Sequence, residues 1–234
     1  MGLTIHYTLA LREDISAGVV RELVRRTGKF ARKIGCAEVG DVLRAEKHEH
    51  LATHFFRVTD DFYSSAGPES GWLIQILPGA GCETVKLGLC RYPSRILLRD
   101  GPVSTGIEEG WQLQSFCKTQ YAGEFGWEIF LKCHRMVISL LDFWRGLGAQ
   151  VHVSDEGDFW ETRSVEKLRR QFDSYNGLVA AMSGMLKDNP GGLSIEAPIF
   201  NYKDFERLEH EGWVEFGGRI EQMAKKIESV RGRN

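Results

Sequence analysis

Apolar and polar positions alternate from the start of the chain. Leu3, Ile5, Tyr7, Leu9 and Leu11 share one side of an extended segment, and Thr4, His6 and Thr8 share the other, the pattern of a half-buried strand over 3–11. The period then changes. Val19, Val20, Leu23, Val24, Phe30, Ala31 and Ile34 recur at helical spacing, with Asp14 or Ser16 able to cap the helix and Gly35 suited to end it in a left-handed conformation. A second strand is expected over 37–46. Residues 47–70 are less regular, and Ser64-Ser65-Ala66-Gly67-Pro68 reads as a loop.

Trp72 to Leu77, Thr84 to Tyr92 and Arg95 to Arg99 read as strands, stopped in turn by Pro78-Gly79, Pro93 and Asp100-Gly101-Pro102. Such spacing implies antiparallel hairpins. Trp111 to Tyr121 gives the clearest alternation: Trp111, Leu113, Ser115, Cys117, Thr119 and Tyr121 on one face, and Gln112, Gln114, Phe116, Lys118 and Gln120 on the other. A helix follows, with Phe125, Ile129, Phe130, Cys133, Val137, Leu140, Leu141 and Trp144 as its apolar stripe and Gly146 and Gly148 at its end. Val151 and Val153 mark a short strand. Ser164 caps a last long helix carrying Leu168, Phe172, Tyr175, Val179, Met182 and Leu186, which Asn189-Pro190-Gly191-Gly192 interrupts. Short helices are expected over 203–209 and 214–230.

These elements predict an α+β fold: a mixed, largely antiparallel sheet with long amphipathic helices packed on it. Residues 3–46 and 111–154 share the order strand, helix ending at glycine, strand. That shared order suggests two pseudo-repeated units of ferredoxin-like type within a single domain over 1–234, the repeats falling in 1–100 and 101–190, with a helical extension over 191–234.

Composition narrows the setting. The chain has 234 residues, 42% hydrophobic and 26% charged, enough to bury a core without staples. The net charge of -2 and pI near 6.4 give no bulk field toward nucleic acid or anionic lipid, so neither nucleic acid nor membrane is expected as a partner. No secretory signal or membrane-spanning run is legible. Cys36, Cys82, Cys90, Cys117 and Cys133 make an odd count that fits reduced thiols and a cytoplasmic location.

Candidate chemistry is scattered. Cys117, with Lys118 beside it and His134 on the following helix, could form a thiol–base pair, since a nucleophilic cysteine needs a cation or histidine to lower its pKa. The bland alternative is a buried cysteine and a core histidine. The acidic run from Asp155 and Glu156 to Glu161 could bind a divalent metal, Mg or Ca, through oxygen ligands, though its spacing is not that of an EF-hand; a solvated turn is the alternative, and Trp160 within the run suggests packing or stacking. Gly79-Ala80-Gly81-Cys82-Glu83 could cradle an anion or be a tight turn, and Glu83, Tyr121 and Trp160 are candidate ligand contacts. His48, Glu49, His50 and His54, with Asp60 or Asp61, could supply metal ligands or an ordinary polar surface. No Walker, dinucleotide-binding, Gly-x-Ser-x-Gly or Cys-x-x-Cys signature is present.

Gly2-Leu3-Thr4-Ile5-His6-Tyr7, Gly81-Cys82-Glu83, Gly88-Leu89-Cys90-Arg91-Tyr92-Pro93, Phe116-Cys117-Lys118-Thr119-Gln120-Tyr121-Ala122 and Asp155-Glu156-Gly157 with Phe159-Trp160-Glu161 resemble an uncharacterised family of bacterial proteins. The resemblance spans most of the chain and implies an intracellular setting without implying an activity. The leading expectation is an accessory protein that binds a small ligand or a protein partner. The rival is a hydrolase or transferase using Cys117 and His134, or a metal held at 155–161.

Overall fold

A computed structural model describes residues 3–11, 15–60, 62–99, 101–187, 199, 202 and 205–231. They divide into two compact units, one from Thr4 to Asp155 and one made of Leu3 with the residues from Glu156 onward. The first holds all the strands: β1 (Thr4–Leu11), β2 (Glu38–Val39), β3 (Leu43–Arg44), β4 (His54–Arg57), β5 (Tyr63–Ala66), β6 (Ser70–Leu77), β7 (Val85–Arg91), β8 (Arg95–Leu98), β9 (Gly101–Ser104), β10 (Trp111–Lys118) and β11 (Gln150–Asp155). It also holds α1 (Ala17–Lys33) and α2 (Trp127–Gly146).

The main sheet runs β11-β1-β10-β7-β6-β2, with β3 also pairing β6, and each of its pairings is antiparallel. β4–β5 and β8–β9 are separate hairpins. The largely antiparallel α+β architecture read from the sequence is therefore present. Alternation of direction makes β1 and β2 run the same way, and likewise β10 and β11. Both strand–helix–strand units thus join parallel, non-adjacent strands. The first crosses three intervening strands and the second only β1. That difference gives a ferredoxin-like repeat no support.

One face of the sheet is dry. Ile5, Tyr7 and Leu9 of β1, Leu113 and Cys117 of β10, Leu87 and Leu89 of β7 and Ile74 and Ile76 of β6 are buried. α1 contributes Val20, Val24 and Ala31 to this core, and Gly28 lies so near β6 that a Cβ would come within 2.8 Å of Ile74 Cδ1. Ser16 caps α1, its hydroxyl accepting from the Val19 amide at 3.4 Å, and Gly35 takes the left-handed conformation at φ 81°. Phe30 of α1 stacks on Phe143 of α2 with centroids 4.4 Å apart.

Several boundaries differ from expectation, for local reasons. The strand expected over 37–46 is two dipeptide strands followed by 3-10 turns at Ala45–Lys47 and Glu49–Leu51. The stretch read as a loop at 64–68 includes β5, because Ser64 and Ser65 pair with Phe56 and Phe55 across a hairpin that composition hides. Gly101 and Pro102, read as a stop, begin β9. β10 ends at Lys118, and Gln120–Phe125 winds into a 3-10 helix. Tyr121 and Phe125 therefore leave the apolar faces assigned to them and stand 41% and 55% exposed.

The second unit contains α3 (Phe159–Thr162), α4 (Val165–Lys187) and α5 (Phe205–Arg231). Ser164 caps α4, its hydroxyl accepting from the Lys167 amide at 3.2 Å. α5 is one helix across the two segments expected at 203–209 and 214–230. It approaches α4 where glycines meet, since a Cβ on Gly212 would collide with the Gly177 carbonyl. The break expected at Asn189-Pro190-Gly191-Gly192 lies outside the described residues, as does Asp61. Among the described residues no helix is long and apolar enough to cross a membrane.

Candidate functional site

Cys117, next to last in β10, points into the dry face. Its thiol donates to the Glu83 carbonyl at 3.2 Å, and its Sγ lies 3.7 Å from that of Cys82. The Cys133 thiol of α2 neighbours Cys82. Glu83 is strapped to the strand end: its amide donates to the Lys118 carbonyl at 3.0 Å, and its Oε2 accepts from the Lys118 amide at 2.9 Å. The Lys118 ammonium turns to the opposite face and rests 5.4 Å from the centre of the Tyr121 ring. Cys117, Glu83, Lys118 and Tyr121 are thus brought to one end of β10, mostly through main-chain bonds.

His134 has other partners. Its Nδ1 lies 2.9 Å from the Thr119 hydroxyl and its Nε2 lies 3.2 Å from Asp155 Oδ2. With the Asp155 carboxylate ionised, Nε2–H is the donor to it, and Nδ1 accepts from Thr119. All three side chains are buried, so the string ties the end of β10 to α2 and to the end of β11. His134 serves Thr119 and Asp155, whereas Cys117 serves Cys82 and Glu83. The environment also holds neighbouring thiols protonated. The thiol contact with Cys117 and then burial push Cys82 well above the usual thiol range. The contact with Cys82 and then burial do the same to Cys133, and burial, the largest cause in each, lifts Cys36 to about 11 and Cys90 to about 12.

In the other unit Trp160 is buried with the Arg163 guanidinium 4.8 Å over its ring, and Glu156 and Glu161 are exposed. Asp158 and Arg163 adopt left-handed backbone at φ 56° and 52°, bracketing the short α3. His48 and His50 have ring centroids 6.3 Å apart, while His54 sits edge-on to Tyr92 at 5.3 Å. Among the described residues no group of three or more His, Cys, Asp or Glu side chains is placed to hold a metal ion.

The opposite face of the sheet is where space is found. The register sets two transverse rows of side chains, Ser154–His6–Phe116 and His152–Thr8–Gln114, across β11, β1 and β10. Nearer β6 this face is covered by a small core in which Ala45, Ala52, Leu73 and Cys90 are buried. Between the rows, Lys86 of β7, the turn carrying His50 and the β4–β5 hairpin lies a cavity of about 720 Å³, within the ~300–1,000 Å³ usual for small-molecule sites. Phe55 and Tyr63, on one face of the hairpin, line it with exposures of 67% and 63%, and Phe116 of the floor is 51% exposed. His6 lies 5.8 Å from Phe116, centroid to centroid. The lining contains His6, His50, His152 and Lys86 and, among the described residues, no aspartate or glutamate.

Of these cavity residues only His50 was singled out from the sequence, and then as a candidate metal ligand. The available signal was the polar side of the alternation in β1 and β10, which placed His6, Thr8, Gln114 and Phe116 away from the core. The missing information was that α1 and α2, the helices of this unit, both pack on the other side. Comparison of this chain with family models, with curated proteins and with solved structures finds no match.

Proposed function

We propose that the Thr4–Asp155 unit is a binding module for a small organic anion with an aromatic ring, seated on the open sheet face, and that the protein serves as an accessory binder. The observation that carries this reading is the lining of the 720 Å³ cavity, in which exposed aromatic rings and basic groups occur without a carboxylate among the described residues. A buried or half-buried anion needs cationic or N–H partners, and a planar ring gains most from aromatic faces. The Lys86 ammonium and the imidazoles of His6 and His152 make no hydrogen bond to any described residue, so their donors are available to a ligand. A hydrolase or transferase acting through Cys117 and His134 has less support, because the polar atoms of those two residues are directed at other protein groups.

Saturation-transfer NMR with three naphthalene probes tests the reading. Naphthalene-2-sulfonate should bind, the neutral 2-naphthalenemethanol more weakly, and a naphthylmethylammonium not measurably. Lys86→Glu should abolish the preference for the sulfonate. Equal binding of all three probes, or an unchanged preference in Lys86→Glu, would remove the proposal.

A further inference from the structure

The floor and the roof of the cavity carry separate ring platforms. On the floor, Phe116 and His6 are register partners on β10 and β1 with their rings tilted by 40°. On the roof, Phe55 and Tyr63 stand on the same side of the β4–β5 hairpin, since Tyr63 pairs with Arg57 and Arg57 shares a face with Phe55. Two aromatic platforms on different elements around one cavity suit a flat ring system that offers both of its faces. Lys86 of β7 stands on the β10 side of the floor, in line with Phe116, and His152 of β11 stands on the far side beyond β1, so a cationic donor and an N–H donor flank the floor platform. Gln114, two residues before Phe116 on the same face of β10, offers an amide with both a donor and an acceptor, the group that reads the edge of a heterocycle.

Ring platforms and donors for an anion therefore line one cavity, with the donors at the two edges of the floor and the Gln114 amide beside the rings. Resting on the anion-binding reading above, we infer that the ligand is a heteroaromatic base joined to a phosphate through a polar spacer, which in chemical class is a nucleoside monophosphate. The cavity is closed at its β6 side by the small core around Ala45 and Ala52 and roofed by the hairpin. That enclosure favours a single nucleotide over a polynucleotide strand, which would need a groove open at both ends.

Calorimetric titration of the full chain with AMP, GMP, CMP and UMP, with the matching nucleosides, with inorganic phosphate and with a twelve-residue oligothymidylate tests the assignment. At least one monophosphate should bind about tenfold more tightly than both its nucleoside and phosphate, because two recognition elements act together. Phe116→Ala should weaken the nucleotide and the nucleoside about tenfold and leave phosphate unchanged, and Lys86→Gln should weaken the nucleotide and phosphate and leave the nucleoside unchanged. Both side chains are solvent-facing, and circular dichroism confirms that the variants are folded. A phosphate affinity equal to that of every nucleotide, a nucleoside affinity equal to its nucleotide, tighter binding of the oligonucleotide, or indifference to both substitutions would each overturn the inference. If no nucleotide binds while naphthalene-2-sulfonate still does, the ligand class alone falls. If neither binds, the anion-binding reading falls with it.

Discussion

The two faces of one sheet use histidine in opposite ways. On the dry face, His134 is fully buried and both of its ring nitrogens are engaged, one by Thr119 and one by Asp155. On the open face, His6 and His152 line a cavity and bond to no described protein group. A buried polar group without a partner costs more than its bond returns, so the packed side must spend its polar atoms on itself. Only the uncovered side can leave donors unspent. Cys117 and His134, which look chemical in sequence, have their polar atoms bonded to protein groups, whereas His6 and His152, which look ordinary on a polar strand face, do not bond to any described residue.

Substitution of the two kinds of histidine breaks this contrast most directly. His134→Ala removes a buried ring and leaves the Asp155 carboxylate without that partner, and breaking a buried charged or hydrogen-bonded pair costs about 3 to 5 kcal/mol. Asp155→Asn, which keeps the shape, should cost less, about 1 to 3 kcal/mol. His152→Ala and His6→Ala on the open face should stay within about 0.5 kcal/mol of the parent. Urea unfolding followed by tryptophan fluorescence reads all four. A loss in His152→Ala as large as that in His134→Ala would mean that the open face is structural and its donors are not spare.

Thiol reactivity sharpens the same comparison. Cys82, Cys90, Cys117 and Cys133 are buried, and Cys36 alone is partly exposed. In the native protein iodoacetamide should label Cys36 first, and slowly at neutral pH, because burial keeps its thiol protonated up to about 11. The other four should react slower by on the order of a hundredfold until urea is added, since they require local or global opening. Mass spectrometry of the labelled peptides resolves the order. Native labelling of Cys117 ahead of Cys36 would return the thiol chemistry to contention.

β1, β10, α1 and α2 were legible because their alternation and helical periods run for eight residues or more, long enough for one buried face to declare itself. Ser16 and Gly35 could be read as caps because a cap is a local event. The hairpin at 54–66 was not legible: Ser64 and Ser65 look like a turn, and only their pairing with Phe56 and Phe55 makes them a strand. The cavity lay further out of reach for the same reason. Periodicity says that His6 and Phe116 point away from the core, but whether a helix, a loop or solvent meets them depends on chain segments fifty or more residues away. The neighbours of Cys117 could not be read either, since packing of the following helix suggested His134, while the loop between β6 and β7 delivered Cys82 and Glu83.

An alkaline limit should come from the packed side. Burial raises Cys90 from its ordinary value near 9 to about 12 in the folded chain. The folded state therefore keeps a proton that the unfolded state gives up, and stability is full below about 9 and declines as pH rises toward 12. Cys90→Ala should flatten that decline in thermal melts across the same window. A melt whose alkaline slope ignores the substitution would place the sensitivity on other groups.

The smallest effect sits at the roof of the cavity and has the opposite pH sense. His54 begins β4, packs edge-on to Tyr92 and has its Nδ1 buried without a partner among the described residues, and burial lowers its pKa. The fold thus favours the neutral ring. Stability from this group is full above the ordinary histidine value of about 6.5 and is lost as pH falls through it, because the unfolded chain takes up the proton first. His54→Phe keeps a ring against Tyr92 and removes the titration. Melts at pH 5.5 and pH 8 should show a smaller acid loss in this variant than in the parent. Because Phe55 and Tyr63 ride on the same hairpin, naphthalene-2-sulfonate, which stays ionised throughout, should hold its affinity at pH 5.5 better in His54→Phe than in the parent. An equal acid loss of affinity in both proteins would separate the cavity from its roof and assign the pH response to the floor.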